Sequence, residues 1–193
     1  MSGQLSFFTA GVRPPEVDDL EGILAGPGQA VRRRDTARLS VRVDAEWRAD
    51  ALVAACAERS LSAERGEDDG ELVVRTPFSP RLLPLAHRWL RGAVKQPPVG
   101  FTLDGARLRL WALAAGSAAP AGYLLRLGPS DPAVWPQVGA ALAAAGVPAV
   151  FVGPRADGPG YRVVGRRRLA RLGELVGEPP PGGSAQWPVP GGI

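Results

Sequence analysis

Leu39, Val41 and Val43 alternate with Ser40 and Arg42, the period-two signature of a half-buried strand. The apolar spacing then turns helical. Trp47, Ala51, Leu52, Ala55 and Cys56 share one face of a helix over about 45–59, with Asp44 read as its cap. Asp68-Asp69-Gly70 signals a hairpin turn, and 71–76 reads as the strand that follows. Ser79-Pro80 opens a second helix, predicted to run to about 94. The segments 101–104 and 106–114 flank Asp104-Gly105 and read as a second hairpin. A strand at 123–127 leads to a helix that begins at Asp131-Pro132 and stops at Gly146. A strand pair at 147–152 and 161–164 and a helix at 166–177 complete the pattern. Residues 1–30 are rich in Gly and Pro, with one helical turn at 18–24, and read as a disordered tail and linker. The Pro/Gly-rich tail 178–193 is predicted to be disordered as well.

This order predicts an α+β body over 31–177. An offset of 90 residues aligns Ala51-Leu52 with Ala141-Leu142, and Val73-Val74 with Val163-Val164. Leu82 and Leu85 fall on Leu172 and Leu175 in the same way. We read an internal duplication of a strand-helix-hairpin-helix unit, with half-repeats at about 37–95 and 121–177. The order of elements resembles either the LAGLIDADG-type fold or two ferredoxin-like halves in tandem. The segment Leu20-Glu21-Gly22-Ile23-Leu24-Ala25-Gly26 also resembles the LAGLIDADG motif. The catalytic acid that closes the motif is replaced, because Pro27, Gly28 and Gln29 follow.

Composition narrows the function classes. The formal net charge is +4 and the pI about 10.2, which points to an acidic partner such as DNA. Lys95 is the one lysine among 23 basic residues, an arginine bias expected of a high-GC genome. One cysteine, Cys56, and one histidine, His87, leave no set for a disulfide or a Cys/His metal cluster. No apolar run is long enough to span a membrane, and no leader is visible. A cytoplasmic, nucleoid-associated protein is the expectation.

Gln4-Leu5-Ser6-Phe7-Phe8 resembles the pentapeptide with which bacterial replication and repair proteins dock on the DNA sliding clamp. Phe7 stands where the family usually has Leu. The resemblance implies that Gln4 hydrogen-bonds at the pocket rim, Leu5 and Phe7 pack, and Phe8 is the deep anchor. Adjacent Phe residues in a terminal segment need an apolar partner, either such a pocket or the body itself. The sliding clamp is therefore one expected partner, and DNA is the other.

Two basic clusters are candidate DNA contacts. Arg81, Arg88, Arg91 and Lys95 would form one stripe on a helix over 80–95. Arg166, Arg167 and Arg168 open the last helix with Arg171 one turn on, a placement that opposes the helix dipole unless an anion is near. No P-loop and no Gly-x-Ser-x-Gly elbow occurs. We assign no catalytic residue, no metal ligand and no cofactor. The sequence thus reads as a non-enzymatic accessory factor of DNA replication or repair. The alternatives are a clamp-tethered nuclease or other DNA-processing enzyme, and a pure regulator of clamp access without DNA binding.

Overall fold

A computed structural model describes residues 13–120, 122–155 and 158–188. A short 3-10 turn, Val17–Leu20, leads into α1 (Glu21–Ala25) and the hairpin β1 (Gln29–Arg33) and β2 (Thr36–Val43). Then come α2 (Glu46–Glu58), the hairpin β3 (Glu64–Asp68) and β4 (Glu71–Arg75), and α3 (Leu83–Trp89). A small hairpin, β5 (Leu90–Arg91) and β6 (Val94–Lys95), joins the halves. The second half repeats the plan: α4 (Gly105–Ala115), β7 (Gly116–Ala119), β8 (Gly122–Arg126) and α5 (Trp135–Ala144). It closes with β9 (Val150–Val152), β10 (Gly160–Val163) and α6 (Arg166–Val176).

Each half builds one four-stranded antiparallel sheet, in the orders β1-β2-β4-β3 and β7-β8-β10-β9. The order is the same in both, so the α+β duplication is real at the level of architecture. Its register differs from the 90-residue alignment. Val74 faces the core opposite Val41, and Val163 faces the core opposite Tyr123, while Val73 lies on the other face. Val74 therefore corresponds to Val163, and aligning Val73 with Val163 would invert the strand. The helices keep the offset of 90: Leu52 and Leu142 are both buried, as are Leu82 and Leu172.

Three expectations are corrected. The first concerns 1–30. Residues 17–30 are not linker, because the 3-10 turn, α1 and the start of β1 supply Leu20, Ile23, Leu24, Ala25 and Ala30 to the core. Their glycines serve close packing instead. A Cβ on Gly22 would sit 1.9 Å from the Arg107 carbonyl oxygen, so α1 touches α4 backbone to backbone. The second concerns 106–114, which forms the central helix α4 and not a strand. Asp104 is its N-cap, accepting from the Arg107 amide at 2.9 Å. Leu108, Leu110, Trp111, Ala112, Leu113 and Ala114 are all buried, so the helix shows no polar face from which a helical period could be read. The third concerns the tail. Residues 178–188 pack on the body: Trp187 is buried, its Nε1 donates to the Gly177 carbonyl at 2.6 Å, and Arg109 lies over its ring. Two boundaries also move. Ala45, not Asp44, is the N-cap of α2, and the helix expected to reach 94 ends at Trp89.

Gly22→Ala should force α1 away from α4 and cost about 3 kcal/mol of stability. Chemical denaturation of the variant against the parent measures this; an unchanged midpoint would contradict the close approach.

Candidate nucleic-acid interface

The two central helices are held at both ends by charge. Acids sit at their N-terminal ends, where the helix dipole favours them. Asp19, buried just before α1, is clasped by Arg13 and by Arg59, whose Nη2 is 2.8 Å away. Glu21 in the first turn of α1 accepts Arg88 at 3.1 Å and Arg107 at 3.0 Å. Asp104 caps α4 and receives Arg13 at 2.9 Å. Burial alone would raise the Asp19 carboxyl. The Glu16 amide, Arg13 and Arg59 outweigh it and hold the group below the usual carboxylate value. Asp104 is lowered on the same balance, with burial opposed by the Arg107 amide and by Arg13.

Cations sit at the C-terminal ends. Lys95 Nζ donates to the carbonyls of Gly26 and Gly28, at 2.9 and 2.8 Å, and pairs with Asp131 at 2.9 Å. It thereby closes the end of α1. Arg48 does the same for α4, donating to the Ala112 and Leu113 carbonyls at 3.0 Å and also to Gly116, while Asp44 holds its Nε at 2.7 Å. Pro27 and Ala114-Ala115 stand at these ends and help line an open cavity of about 640 Å³. The acids on its rim are engaged: Asp44 with Arg48, Glu46 with Arg65, Glu71 with Arg42. Among the described residues no three His, Cys, Asp or Glu side chains converge to hold a metal.

The helices and tail cover one face of each sheet; strand alternation turns the other face outward. On the first sheet that face carries Arg33 on β1, Arg38 and Arg42 on β2, and Arg75 on β4. Their acidic neighbours are Glu64, Asp68 and Glu71. On the second sheet it carries Arg126 and Arg162. One cross-strand pair recurs in swapped order, Arg42 opposite Val73 in the first half and Leu124 opposite Arg162 in the second. Val73 and Leu124 are buried although they lie on the outward face. Arg34 in the β1–β2 turn and Arg32 and Arg33 at the end of β1 are all exposed, with Arg32 on the opposite face of the strand from Arg33.

The sequence-derived candidates are distributed differently. Residues 4–8 lie outside the described residues. The stripe on 80–95 does not form. Arg81 donates to the Ser60 carbonyl at 2.6 Å, Arg88 pairs with Asp18 and Glu21, and Arg91 turns back on the carbonyls that end α3. Lys95 is 2 % exposed and belongs to the helix axis, not to a solvent face. Arg166, Arg167, Arg168 and Arg171 are exposed on α6, and Arg171 pairs with Glu174. They share the helical layer, away from the sheet arginines. The run Arg32-Arg33-Arg34 was legible as a basic cluster, but assigning residues up to 30 to a linker removed the strand that presents it.

Neither a family model nor a curated protein matches the chain. Among solved structures it is similar to the homing endonuclease I-WcaI bound to its DNA recognition sequence. The identity is 9%, the match covers 82% of this chain and 79% of that one, and the TM-score is 0.60. The chain has a LAGLIDADG-type fold. That decides between the two topologies the sequence left open, and α1 and α4 are the helices that pack together between the halves. A nuclease of metal-dependent type needs convergent carboxylates. The residues at this axis do not fit such an ion as they stand: the helix ends carry Pro and Ala, and the polar groups beneath them are the ion pairs Lys95–Asp131 and Arg48–Asp44, whose carboxylates are engaged by cations.

Asp19→Ala removes the buried carboxylate shared by Arg13 and Arg59 and should cost about 3 kcal/mol. Because the folded values of Asp19 and Asp104 are depressed from 3.8, their stabilisation is complete above that pH and is lost as pH falls through the folded values. Thermal melts of parent and variant from neutral pH downward test both points, and the variant should show the shallower acid limb.

Proposed function

We propose that the body binds duplex DNA across the outward faces of its two sheets, and that residues 4–8 dock the protein on the sliding clamp. In this reading it is a non-enzymatic accessory factor of replication or repair, cytoplasmic and nucleoid-associated. The observation that carries the body's role is the set of arginines on the outward sheet faces: Arg33, Arg38, Arg42 and Arg75 on the first sheet, with Arg34 at the β1–β2 turn, and Arg126 and Arg162 on the second. Guanidinium groups spaced along strands meet phosphates and base edges alike. The likeness to a DNA-bound endonuclease supports DNA as the ligand. No described helix is long and apolar enough to cross a membrane.

The nuclease reading draws on two observations, the endonuclease neighbour and the acids Asp44, Glu46 and Glu71 around the axial cavity. It requires those acids to leave their present partners. The two readings separate cleanly: with Mg²⁺ and plasmid, a nuclease nicks DNA and loses activity in Asp44→Asn or Glu71→Gln, whereas the accessory factor leaves the plasmid intact.

Clamp docking is geometrically tighter than a long linker would make it. Arg13 is already tied to Asp19 and Asp104, so only residues 9–12 separate the peptide from the body. Four residues span at most about 14 Å. A docked peptide would hold the body against the clamp, beside the DNA that threads it, at high effective concentration.

Duplex binding, followed by fluorescence anisotropy, should weaken steeply with salt. Replacing Arg32, Arg33 and Arg34 by Ala should lower the salt slope by about one for each phosphate that is no longer neutralised. An unchanged slope would remove the turn from the interface, and no binding even at low salt would leave the clamp-only regulator. Calorimetry with purified clamp should give micromolar binding that Leu5→Ala, Phe7→Ala and Phe8→Ala together abolish; binding that survives the triple substitution would refute docking through 4–8.

A further inference from the structure

The two sheets end on edge strands of opposite character. β3 and β9 hold the same place in the duplicated plan, each last in its sheet and, among the described residues, laddered on one side only. An edge strand presents N–H and C=O groups that other chains can pair with, and charge on the edge keeps those chains away. β3 follows that rule, with Glu64, Arg65, Glu67 and Asp68 around Gly66. β9 does not. It reads Val150-Phe151-Val152, with Val150 57 % and Phe151 44 % exposed.

The helix beside each edge differs in the same way. α2 carries Glu46, Arg48, Asp50 and Glu58, whereas its counterpart α5 carries no charged residue. From Pro132 to Pro154 the sequence holds no charged side chain at all. The apolar edge is firmly held. Phe151 packs on Trp135 of α5 and on Tyr161 of β10, with ring centres 5.6 and 5.5 Å apart, and the Tyr161 hydroxyl donates to the Trp135 carbonyl at 2.7 Å.

Residues 148–154 read Pro-Ala-Val-Phe-Val-Gly-Pro, nearly the same in both directions about Phe151. In an antiparallel ladder between two such segments centred on Phe151, the two Phe151 residues face each other and Val150 opposes Val152. The small Ala149 then opposes the small Gly153, and the prolines, which lack N–H donors, stop the ladder at both ends. We propose that β9 pairs with β9 of a second copy about a two-fold axis through Phe151. Phe151 is opposite the core residue Tyr161 and lies on the helical side of the sheet, so both Phe151 rings and both Trp135 rings close one aromatic cluster there. Val150 and Val152 meet on the outward side, beside Arg162 and Gly160. A two-fold contact uses the same edge of both copies, so the product is a closed dimer and not a filament. It joins the two second-half sheets into one continuous sheet with both outward faces on the same side. The pairing stands independently of the DNA-binding reading above.

Sedimentation equilibrium of the full chain should show a mass that rises with concentration from 20.2 kDa to twice that value. Val150→Lys gives β9 the charge that β3 already has and should weaken association by about 10-fold or more. Val31→Lys, the same change at an exposed site on β1, should leave it unaltered. Directly opposed strand residues lie about 4.5–5.5 Å apart at Cα, within the reach of a disulfide. Phe151→Cys should therefore cross-link two copies on mild oxidation, while Ala149→Cys, opposed to Gly153, should not; the native Cys56 is buried and does not compete. A monomer at every concentration would overturn the pairing. So would a dimer that Val150→Lys leaves intact, or a Phe151→Cys chain that does not cross-link, whether or not Val150→Lys folds.

Discussion

The contact on which the rest of this structure depends is the approach of α1 to α4 at Gly22, where no side chain separates the helices. A Cβ there would lie 1.9 Å from a carbonyl oxygen, well inside contact distance. Everything outward follows from that spacing. The helices α1 and α4 lead directly into the first hairpins of the two sheets, and α6 seats against α4 over Gly105, another position where a Cβ would meet backbone. Two short helices at such a distance gain little apolar burial from each other. Their ends are therefore fastened by ion pairs: acids with arginines at the N-termini, and Lys95 and Arg48 on the terminal carbonyls. These buried charges are paired and hydrogen-bonded, as burial of charge requires.

The same fastening shapes the chemistry. At the C-terminal ends of the central helices the chain places cations under backbone carbonyls, with Pro27 and two alanines facing the cavity. Burial lowers the Lys95 ammonium from its ordinary value, and Asp131 counteracts that shift. Such an axis holds helices together. The surface proposed to meet DNA lies instead on the sheets, whose outward faces carry Arg33, Arg38, Arg42, Arg75, Arg126 and Arg162 beside the buried Val73 and Leu124.

Much of this was legible in the sequence where one face is buried and the other is wet. The β2 alternation, the Asp68-Asp69-Gly70 turn with its left-handed Asp69 and Gly70, and the helices α2, α5 and α6 all show such a pattern. The α+β class and the duplicated plan followed from them. What escaped was buried on every side. The helix α4 has no polar face, and its Asp104-Gly105 start, a cap, has the same letters as a turn. The helix α1 is too short to show a period, and its glycines, read as linker, serve close contact. Lys95 continued the spacing of Arg88 and Arg91, but spacing does not reveal that the helix stops at Trp89 and folds into a hairpin. A one-residue difference in loop length moved Val73 off the core face, which no ungapped repeat alignment detects.

The sheets, not the exposed arginines of α6, thus form the surface assigned to DNA. Hydrogen exchange of the full chain with and without duplex DNA tests this assignment most directly. Protection on DNA addition should appear in β1, β2, β4, β8 and β10, together with the turn at Arg32 to Arg34. Protection confined to α6 around Arg166 to Arg171, with the strands unchanged, would contradict it.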